Sequence, residues 1–507
     1  MTTNRLTTPR ANVTSGIEEP DGTTVRDRTL IYPGRCAFRG TALLFSVACL
    51  LVAPAAWGKS GDLLWENRGQ PEPIGIVRAI GAEGNVVVAT GETGETTPAC
   101  AYPFFNSCHW YVRAQDASTG ATLWEDRLAT AESSFGRATA VAVQGGHVFA
   151  AGWLRGAAQP FFDFVVRAYD LNLGQLLWER RVHRGAVTER AYAVVARDGQ
   201  VFVAGNVASG TSRAFTLFVL DAQTGDIVWE SDTAGLRLGT AGAVRVQGER
   251  VFVAGTGHIP SAPPGRMGRS LLVQAYDKGT GAMLWENEVP DAFFFINQNA
   301  VDDLAVRGDL LFVSSGILEA DLSTNLFFDP MVRAYDVRTG ALLWVDHMHR
   351  QAGGEANRLG LGAGRLFVYD WDCDDPLFQC FGHVRAYDPD TGTVRWEDRF
   401  TGPGGDSLIP TDAFDVHGSQ VFVGASLLNA QQDQYQWTVR SYDAIRGTLL
   451  WENRSEDPGF LNGPSAMKAS GGRLYVAGTN DRLDGGFDFT VRAYSAPTDN
   501  GTGSDED

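Results

Sequence analysis

The stretch AYDVRTGALLW, residues 334–344, decides the fold, because close variants of it recur along the chain. In most variants, a VRAYD-like strand leads into a turn of the form Asp-x-x-Thr-Gly and then into a tryptophan. The repeated tryptophans are Trp65, Trp124, Trp178, Trp229, Trp285, Trp344, Trp396 and Trp451. Self-similarity at a fixed period of this size indicates one supersecondary unit repeated side by side.

Two further strands belong to each repeat, such as Val148–Gly152 and the strand that precedes it across a tight polar turn. Four short alternating strands per repeat are typical of a β-propeller. The first tryptophan segment, Leu63–Glu66, has no VRAYD strand before it, and the last such strand, Val491–Ser495, has no tryptophan after it. We therefore expect an all-β fold, a closed eight-bladed β-propeller of four-stranded blades whose N-terminal strand completes the last blade.

The loop lengths predict two different faces. If the strands of a blade are named A to D from the axis outward, the A–B turns are short and constant and the C–D turns are Asp-x-x-Thr-Gly. In such turns the aspartate bonds its own backbone and the glycine takes a positive φ. The D–A and B–C loops are longer, differ between blades and share the opposite face. Variation on a rigid scaffold is typical of a binding surface.

The N-terminus resembles an export signal. Arg35 and Arg39 precede an apolar run, residues 41–52, which small residues follow at 53–56. This order is typical of a secretory signal peptide; an uncleaved anchor is the alternative. We expect three parts: residues 1–58 as N-terminal extension and signal peptide, 59–496 as the propeller, and 497–507 as a disordered acidic tail. The protein is then exported, to the periplasm or the extracellular space.

Composition limits the partners. The 507 residues are 44% hydrophobic, so the chain has ample material for a core. The formal net charge of −18 disfavours binding to nucleic acid through its phosphates and docking on anionic lipid. We expect no nucleic-acid partner, no membrane span in the mature chain, and a monomer.

The cysteines beyond residue 58 form two local pairs, Cys100 with Cys108 and Cys373 with Cys380. An oxidising compartment would convert each pair to a disulfide. The alternative is a zinc site, but neither pair has C-x-x-C spacing and the pairs are far apart in the sequence.

Polar residues recur where the inner strands begin. When the eight blades are aligned on the first residue of strand B, one position can be compared in all of them, nine residues earlier. It is occupied in turn by Val77, Thr139, Tyr192, Gly242, Asp302, Asn357, Asp412 and Ser465. Arg137, Arg190 and Glu355 lie two residues earlier in blades two, three and six. From these sets, Arg137, Arg190, Tyr192, Asp302, Asn357 and Asp412 are the candidate ligand-binding residues. They could hold a small ligand or cation at the channel mouth, or be solvated loop ends around a water-filled channel.

A weak calcium candidate lies in blade six. Asp370, Asp372 and Asp374 alternate as at the start of a calcium-binding loop. The glycine expected at the sixth position is replaced by Asp375, and the acid expected at the twelfth is replaced by Phe381. The alternative is an acidic, solvated loop.

The pattern A-x-D-x-x-T-G-x-x-x-W of residues 334–344 resembles the tryptophan-docking repeat of the PQQ-like, or quinoprotein alcohol dehydrogenase-like, family. The similarity spans residues 62 to 495. It implies that the eight repeated tryptophans are structural and pack between neighbouring blades. The same propeller resembles pyrroloquinoline quinone (PQQ) dehydrogenases, the scaffold lipoprotein of outer-membrane protein assembly, and sensory domains without a cofactor.

Two functions from different classes follow. The first is a non-catalytic binding or scaffold module whose variable face engages a protein, a glycan or a small ligand. The second is a periplasmic oxidoreductase that depends on PQQ and calcium; the resemblance implies a tryptophan floor, acidic and amide calcium ligands, a catalytic Asp and an Arg. Many such enzymes have a disulfide between adjacent cysteines, and no two cysteines are adjacent here. The first function is favoured, and no catalytic residue is assigned. Trp153 and Trp371, predicted on B–C loops, are the tryptophans available for another role.

Overall fold

The computed structural model describes residues 60–69, 74–94, 108–128, 135–155, 161–185, 187–210, 212–231, 238–258, 269–290, 303–320, 326–348, 354–374, 379–402, 408–409, 411–429, 431, 434–457, 459, 462–482 and 485–496. Within these ranges the regular elements are β-strands, and no helix is long and apolar enough to cross a membrane. The predicted signal peptide and the predicted acidic tail lie outside the described residues.

The strands group into eight blades in chain order. Blade 1 contains β2 (Ile74–Glu83), β3 (Val86–Gly94), β4 (Cys108–Asp116) and β5 (Thr122–Leu128). Blade 2 contains β6 (Gly136–Gln144), β7 (His147–Arg155), β8 (Phe162–Asp170) and β9 (Leu176–Val182). Blade 3 contains β10 (Arg190–Arg197), β11 (Gln200–Ser209), β12 (Ser212–Asp221) and β13 (Ile227–Glu230). Blade 4 contains β14 (Gly239–Gln247), β15 (Arg250–His258), β16 (Arg269–Asp277) and β17 (Met283–Pro290).

The second half repeats this order. Blade 5 contains β18 (Asp303–Arg307), β19 (Leu310–Ala320), β20 (Leu326–Asp336) and β21 (Leu342–His347). Blade 6 contains β22 (Gly354–Gly362), β23 (Arg365–Asp374), β24 (Gln379–Tyr387) and β25 (Val394–Phe400). Blade 7 contains β26 (Leu408–Ile409), β27 (Phe414–His417), β28 (Gln420–Leu428), β29 (Tyr435–Asp443) and β30 (Leu449–Arg454). Blade 8 contains β31 (Gly463–Ser470), β32 (Arg473–Asp481), β33 (Phe487–Ser495) and, from the start of the chain, β1 (Leu63–Gly69).

The N-terminal strand completes the last blade, as the sequence predicts. Strand β1 runs antiparallel to β33, with Trp65 opposite Ala493. The Gly61 amide donates to the Ser495 carbonyl at 2.9 Å, and the Ser495 amide donates to the Asp62 carbonyl at 2.9 Å. The eight-bladed, all-β propeller is therefore confirmed, and the two ends of the chain share its last sheet.

The repeated tryptophans join each blade to the next. The Trp178 indole N–H donates to the Ala222 carbonyl at 3.0 Å, and the Trp285 indole N–H donates to the Val337 carbonyl at 2.9 Å. The same bond forms at Trp65, Trp124, Trp229, Trp344 and Trp396. Among the described residues, the Trp451 indole N–H has no hydrogen-bond acceptor.

A glycine of the next blade lies under each of these indole rings. Gly225, the last residue of a C–D turn, has a φ of +71°, and a Cβ there would lie 2.5 Å from the Trp178 ring. Gly61 occupies the same place under Trp451. The Thr-Gly of the repeat is therefore needed for backbone conformation and for contact with the indole ring. We call these eight tryptophan–glycine contacts the rim.

The C–D turns are closed by their aspartates. The Asp221 carboxylate accepts from the backbone amides of Gln223 and Thr224, both at 2.9 Å. At Asp116, hydrogen bonds from Ser118 and Thr119 lower the pKa of the carboxyl to about 2. These aspartates are thus used within the turns, and we call this face the turn face. The opposite face, which contains the D–A and B–C loops, is the loop face.

The predicted cysteine pairing of blade 6 is present: Cys373 and Cys380 are cross-strand partners joined by a disulfide. Cys108 is also disulfide-bonded, and its predicted partner Cys100 lies outside the described residues.

Candidate functional site

The inner strands bulge at the aligned positions. In six blades the strand A register shifts by one residue against strand B, and the extra residue is Arg78, Thr139, Tyr192, Gly242, Asn357 or Ser465. A bulge re-aims its side chain and strengthens the local twist, and such features are common near functional sites. Five of these six residues are those that the sequence alignment selects.

Blade 1 departs from the alignment by one residue. Val77, which the alignment selects there, is 1% exposed and packs in the core. The bulged residue is Arg78, because Val86 pairs with Glu83 as His147 pairs with Gln144 in blade 2, whereas the alignment matched Val86 with Val148. Sequence alignment therefore missed an arginine at the channel mouth.

Close approach of two strands fixes the backbone on either side of the bulges. A Cβ on Gly152 would lie 2.0 Å from the Arg137 carbonyl oxygen, and one on Gly205 would lie 2.1 Å from that of Arg190. Only glycine permits this contact. Arg137 and Arg190 are thereby held at the loop-face ends of β6 and β10.

Three arginines and one carboxylate meet where blades 1, 2 and 3 adjoin. The Glu92 carboxylate on β3 is fully buried. It accepts from Arg78 Nε at 3.1 Å and forms an ion pair with Arg137 Nη2 at 2.9 Å. We call Arg78, Arg137, Arg190 and Glu92 the arginine cluster. Sequence analysis found two of these four residues, Arg137 and Arg190.

The electrostatics of the arginine cluster follow from burial and these pairs. Burial by itself would raise the pKa of Glu92, but Arg137 and Arg78 outweigh it, and the pKa lies below its ordinary value. Burial lowers the pKa of Arg137 to about 10; Glu92 opposes this shift, whereas Arg78 and Arg190 add to it. All three arginines are therefore charged at neutral pH, with one carboxylate among them.

Aromatic rings support two of the guanidinium groups. Trp153 and Phe162 lie with ring centroids 4.6 Å apart, and Phe135 stacks on Trp153 at 5.2 Å. The Arg137 guanidinium lies 5.4 Å from the Trp153 ring, and the Arg190 guanidinium lies 5.3 Å from it. We call Phe135, Trp153 and Phe162 the aromatic wall. Trp153 lies on strand β7 and is 5% exposed, rather than on a B–C loop as the sequence suggested.

Tyr192 lies beside the arginine cluster, as the alignment predicts. It is the bulged residue of β10 and is mostly buried. Burial raises the pKa of its hydroxyl, although Arg190, Arg213 and Arg137 act in the opposite direction. The phenol is therefore neutral and adds a hydroxyl group beside Arg190.

The other candidates are placed differently. Asp412 lies on blade 7 between β26 and β27, with Arg358 Nη2 3.4 Å from its carboxylate. The negative charge of Asp412 also contributes to raising the pKa of Arg78. Asp302 and the side chain of Asn357 lie outside the described residues. The structure thus brings together Arg137, Arg190 and Tyr192.

Comparison of the sequence with known families gives one match. Residues 109–316 and 329–490 match the family described as outer membrane protein assembly factor BamB. The chain belongs to this family. Because the match covers more than half of the chain, the PQQ-like repeat is established for most of the blades. No curated protein matches the sequence.

Solved structures share the fold of this family member at low identity. Quinohemoprotein alcohol dehydrogenase ADHIIG from Pseudomonas putida is 14% identical over 87% of this chain and 77% of its own, with a TM-score of 0.54. A europium-containing methanol dehydrogenase is 12% identical over 86% of this chain and 93% of its own, with a TM-score of 0.50. Chaetomium thermophilum Sqt1, bound to the N-terminus of the ribosomal protein L10, is 12% identical over 85% of this chain and 98% of its own, also at 0.50. These similarities concern the fold.

The blade 6 aspartates lie on a strand. Asp370 and Asp372 belong to β23 and are buried, so they lie on a strand rather than in the turn or the solvated loop that the sequence suggested. The Asp372 carboxylate instead lies 2.8 Å from His383 Nε2, and His383 Nδ1 lies 3.1 Å from the Glu397 carboxylate. The side chain of Asp374 lies outside the described residues.

The arginine cluster suits an anion better than a cation. Three guanidinium groups would repel a metal ion, and Glu92 already accepts from two of them. Among the described side chains, no group of three or more His, Cys, Asp or Glu residues is arranged to hold a metal ion.

Proposed function

We propose that this protein is an exported, non-catalytic binding propeller that takes its ligand or partner on the loop face. The observation that supports this most strongly is the arginine cluster, a fixed group of positive charges at the channel mouth of a chain with net charge −18. Positive charge held against the overall sign of a protein concentrates anionic partners at that place.

The turn face supports the same assignment by contrast. Its aspartates bond their own turns, and its glycines lie under the rim tryptophans. These aspartates and glycines of the turn face are thus engaged in holding the fold. The loop face presents arginines with residual exposure, since the Arg78 side chain is 36% exposed and the Arg137 side chain is 18% exposed. A ligand can reach the loop face without breaking the fold.

Export is part of this proposal. The apolar run at residues 41–52 and the disulfide between Cys373 and Cys380 are both typical of a protein that leaves the cytoplasm. The partner on the loop face is then a protein, glycan or small ligand of the periplasm or the extracellular space.

The alternative function is a PQQ- and calcium-dependent oxidoreductase. The observation that favours it is the presence of arginines at the channel mouth of a PQQ-like propeller, because PQQ is an anion. The excess of guanidinium groups over carboxylates in the arginine cluster weighs against a calcium ion at that place. We therefore keep this function second.

Turnover assays separate the two functions. The full chain is titrated with PQQ, with and without calcium, while tryptophan fluorescence reports binding and alcohol- or sugar-dependent dye reduction reports catalysis. The proposed function predicts no dye reduction above that of free PQQ with calcium. Dye reduction that requires the protein and is lost in EDTA would establish the oxidoreductase instead.

A further inference from the structure

We propose that the arginine cluster binds an oxyanion, a carboxylate or phosphate group of a small ligand, directly and without a metal ion. This inference rests on the proposed function and names the chemistry of its ligand. It depends on four properties of the arginine cluster: its charge balance, its rigidity, its exposure and the geometry of its donors.

The charge balance leaves room for an anion. Glu92 pairs with Arg78 and Arg137, and within the described residues no carboxylate lies at ion-pair distance from Arg190. Asp412 of blade 7 already lies beside Arg358. Among the described residues, the arginine cluster therefore has three guanidinium groups and one carboxylate, and an incoming oxyanion would compensate its excess positive charge.

The neighbouring acid does not supply this compensation. Glu189 precedes Arg190 in the sequence, but its buried carboxylate accepts from the backbone amides of Arg184 at 3.0 Å and Ala208 at 2.7 Å. Burial raises the pKa of Glu189, although those two bonds lower it. Its carboxylate is thus engaged with two backbone amides rather than with the Arg190 guanidinium.

The arginines are held in place before a ligand arrives. Arg137 and Arg190 both lie against Trp153, whose ring packs against Phe135 and Phe162. Their backbones are fixed by the contacts at Gly152 and Gly205. A donor set that does not have to be ordered on binding loses little conformational entropy, and this favours affinity.

Guanidinium groups match the proposed ligand. Each presents N–H donors in a planar fork that fits the two oxygens of a carboxylate or phosphate. Tyr192 adds a neutral hydroxyl beside Arg190. No metal ion is needed to bring an oxyanion to such a site.

The test is a titration of the full chain with malonate and, separately, with inorganic phosphate, both in EDTA and at constant ionic strength set with NaCl. Calorimetry and tryptophan fluorescence report binding, since Trp153 lies against two of the arginines. We expect saturable binding of at least one probe, and the stronger probe identifies the preferred group. Arg137→Gln and Arg190→Gln each remove one guanidinium contact with the probe. Each is expected to weaken binding of the probe about tenfold.

Two variants make the test specific. Arg190→Lys keeps the charge and loses the fork, so its affinity should lie between those of the wild type and Arg190→Gln. Arg399→Gln is the matched control in blade 6, where Arg399 lies 3.6 Å from the Phe381 ring and near Asp372, and it should bind as the wild type does. Circular dichroism checks that each variant is folded.

Failure of this inference is distinguishable from failure of the proposed function. Absence of saturable binding of both probes to the folded wild type overturns the inference, and so does equal binding by Arg137→Gln, Arg190→Gln and Arg399→Gln. Neither result involves PQQ turnover. Protein-dependent dye reduction with PQQ and calcium overturns the proposed function, whatever the malonate titration gives.

Discussion

The rim and the arginine cluster are built from the same repeat in opposite ways. At the rim, eight tryptophans lie on eight glycines, and even the seam between Trp451 and Gly61 keeps the pattern. At the arginine cluster, the bulged position is Arg78 in blade 1, Thr139 in blade 2 and Tyr192 in blade 3. Uniform positions hold the ring together, whereas positions that differ between blades create a local site.

Glu92 and Trp153 illustrate this difference. Each of them directly follows the strand B residue that pairs with strand A beside the bulge. Glu92 and Trp153 therefore occupy equivalent positions on β3 and β7. In blade 1 the position provides a carboxylate for two arginines, and in blade 2 it provides a ring for two guanidinium groups. One backbone position therefore serves two kinds of contact in adjacent blades.

The largest expected effect is at the rim. Trp178→Ala removes a mostly buried indole and its bond to Ala222, and should lower the free energy of unfolding by about 3 kcal/mol. Urea unfolding followed by circular dichroism measures it. Leu177→Ala is the control, because the adjacent Leu177 is 42% exposed. Equal unfolding midpoints for the two variants would show that the rim does not hold the blades together.

A smaller effect is expected at the arginine cluster. Glu92→Gln leaves two guanidinium groups without their carboxylate and should cost about 2 kcal/mol at neutral pH, since Arg78 stays partly solvated. The pKa of Glu92 is lowered in the folded protein. Its stabilisation is therefore present above the unfolded value, near pH 4.3, and is lost as the pH falls through the folded value.

The pH dependence of unfolding checks this sign. Urea midpoints of the wild type and of Glu92→Gln are measured from pH 7 to pH 3. The difference between them should shrink as the pH falls. A difference that grows toward acid pH would mean that Glu92 is not held as a carboxylate by Arg78 and Arg137.

The smallest effect concerns the seam. Trp285→Phe loses the bond to the Val337 carbonyl, whereas Trp451→Phe loses no hydrogen bond to a residue that the structure describes. Trp285→Phe should therefore be the more destabilising of the two by about 1 kcal/mol. Thermal or urea unfolding of both variants gives the comparison. If Trp451→Phe costs as much as Trp285→Phe, ring packing rather than the indole N–H dominates the rim.

The sequence predicts the repeated features well because they are local. The spacing between the Asp-x-x-Thr-Gly turn and Trp344 predicts the order of the strands within a blade. The unpaired Leu63–Glu66 segment predicts ring closure. Arg78 was missed because the strand B of blade 1 begins with three valines, and the alignment started at Val86, which is equivalent to His147 and not to Val148. Glu92 was missed because contacts between blades, such as that with Arg137, are not visible within one repeat.

Blade 6 shows the opposite error. An aspartate-rich run is typical of a loop, and the sequence interpretation of Asp370 and Asp372 followed that composition. The strand continues past them because Cys373 pairs with Cys380 across the hairpin and His383 lies beside Asp372. Cross-strand partners, which composition does not reveal, override the local preference.

The most direct measurement is the position of a bound heavy oxyanion. Crystals of the full chain are soaked in tungstate, and its anomalous signal locates the anion. The account predicts a peak within hydrogen-bond distance of Arg137 and Arg190, and no such peak in Arg190→Gln crystals. Occupied tungstate sites elsewhere on the chain with none at the arginine cluster would contradict the assignment of the loop face as the binding face.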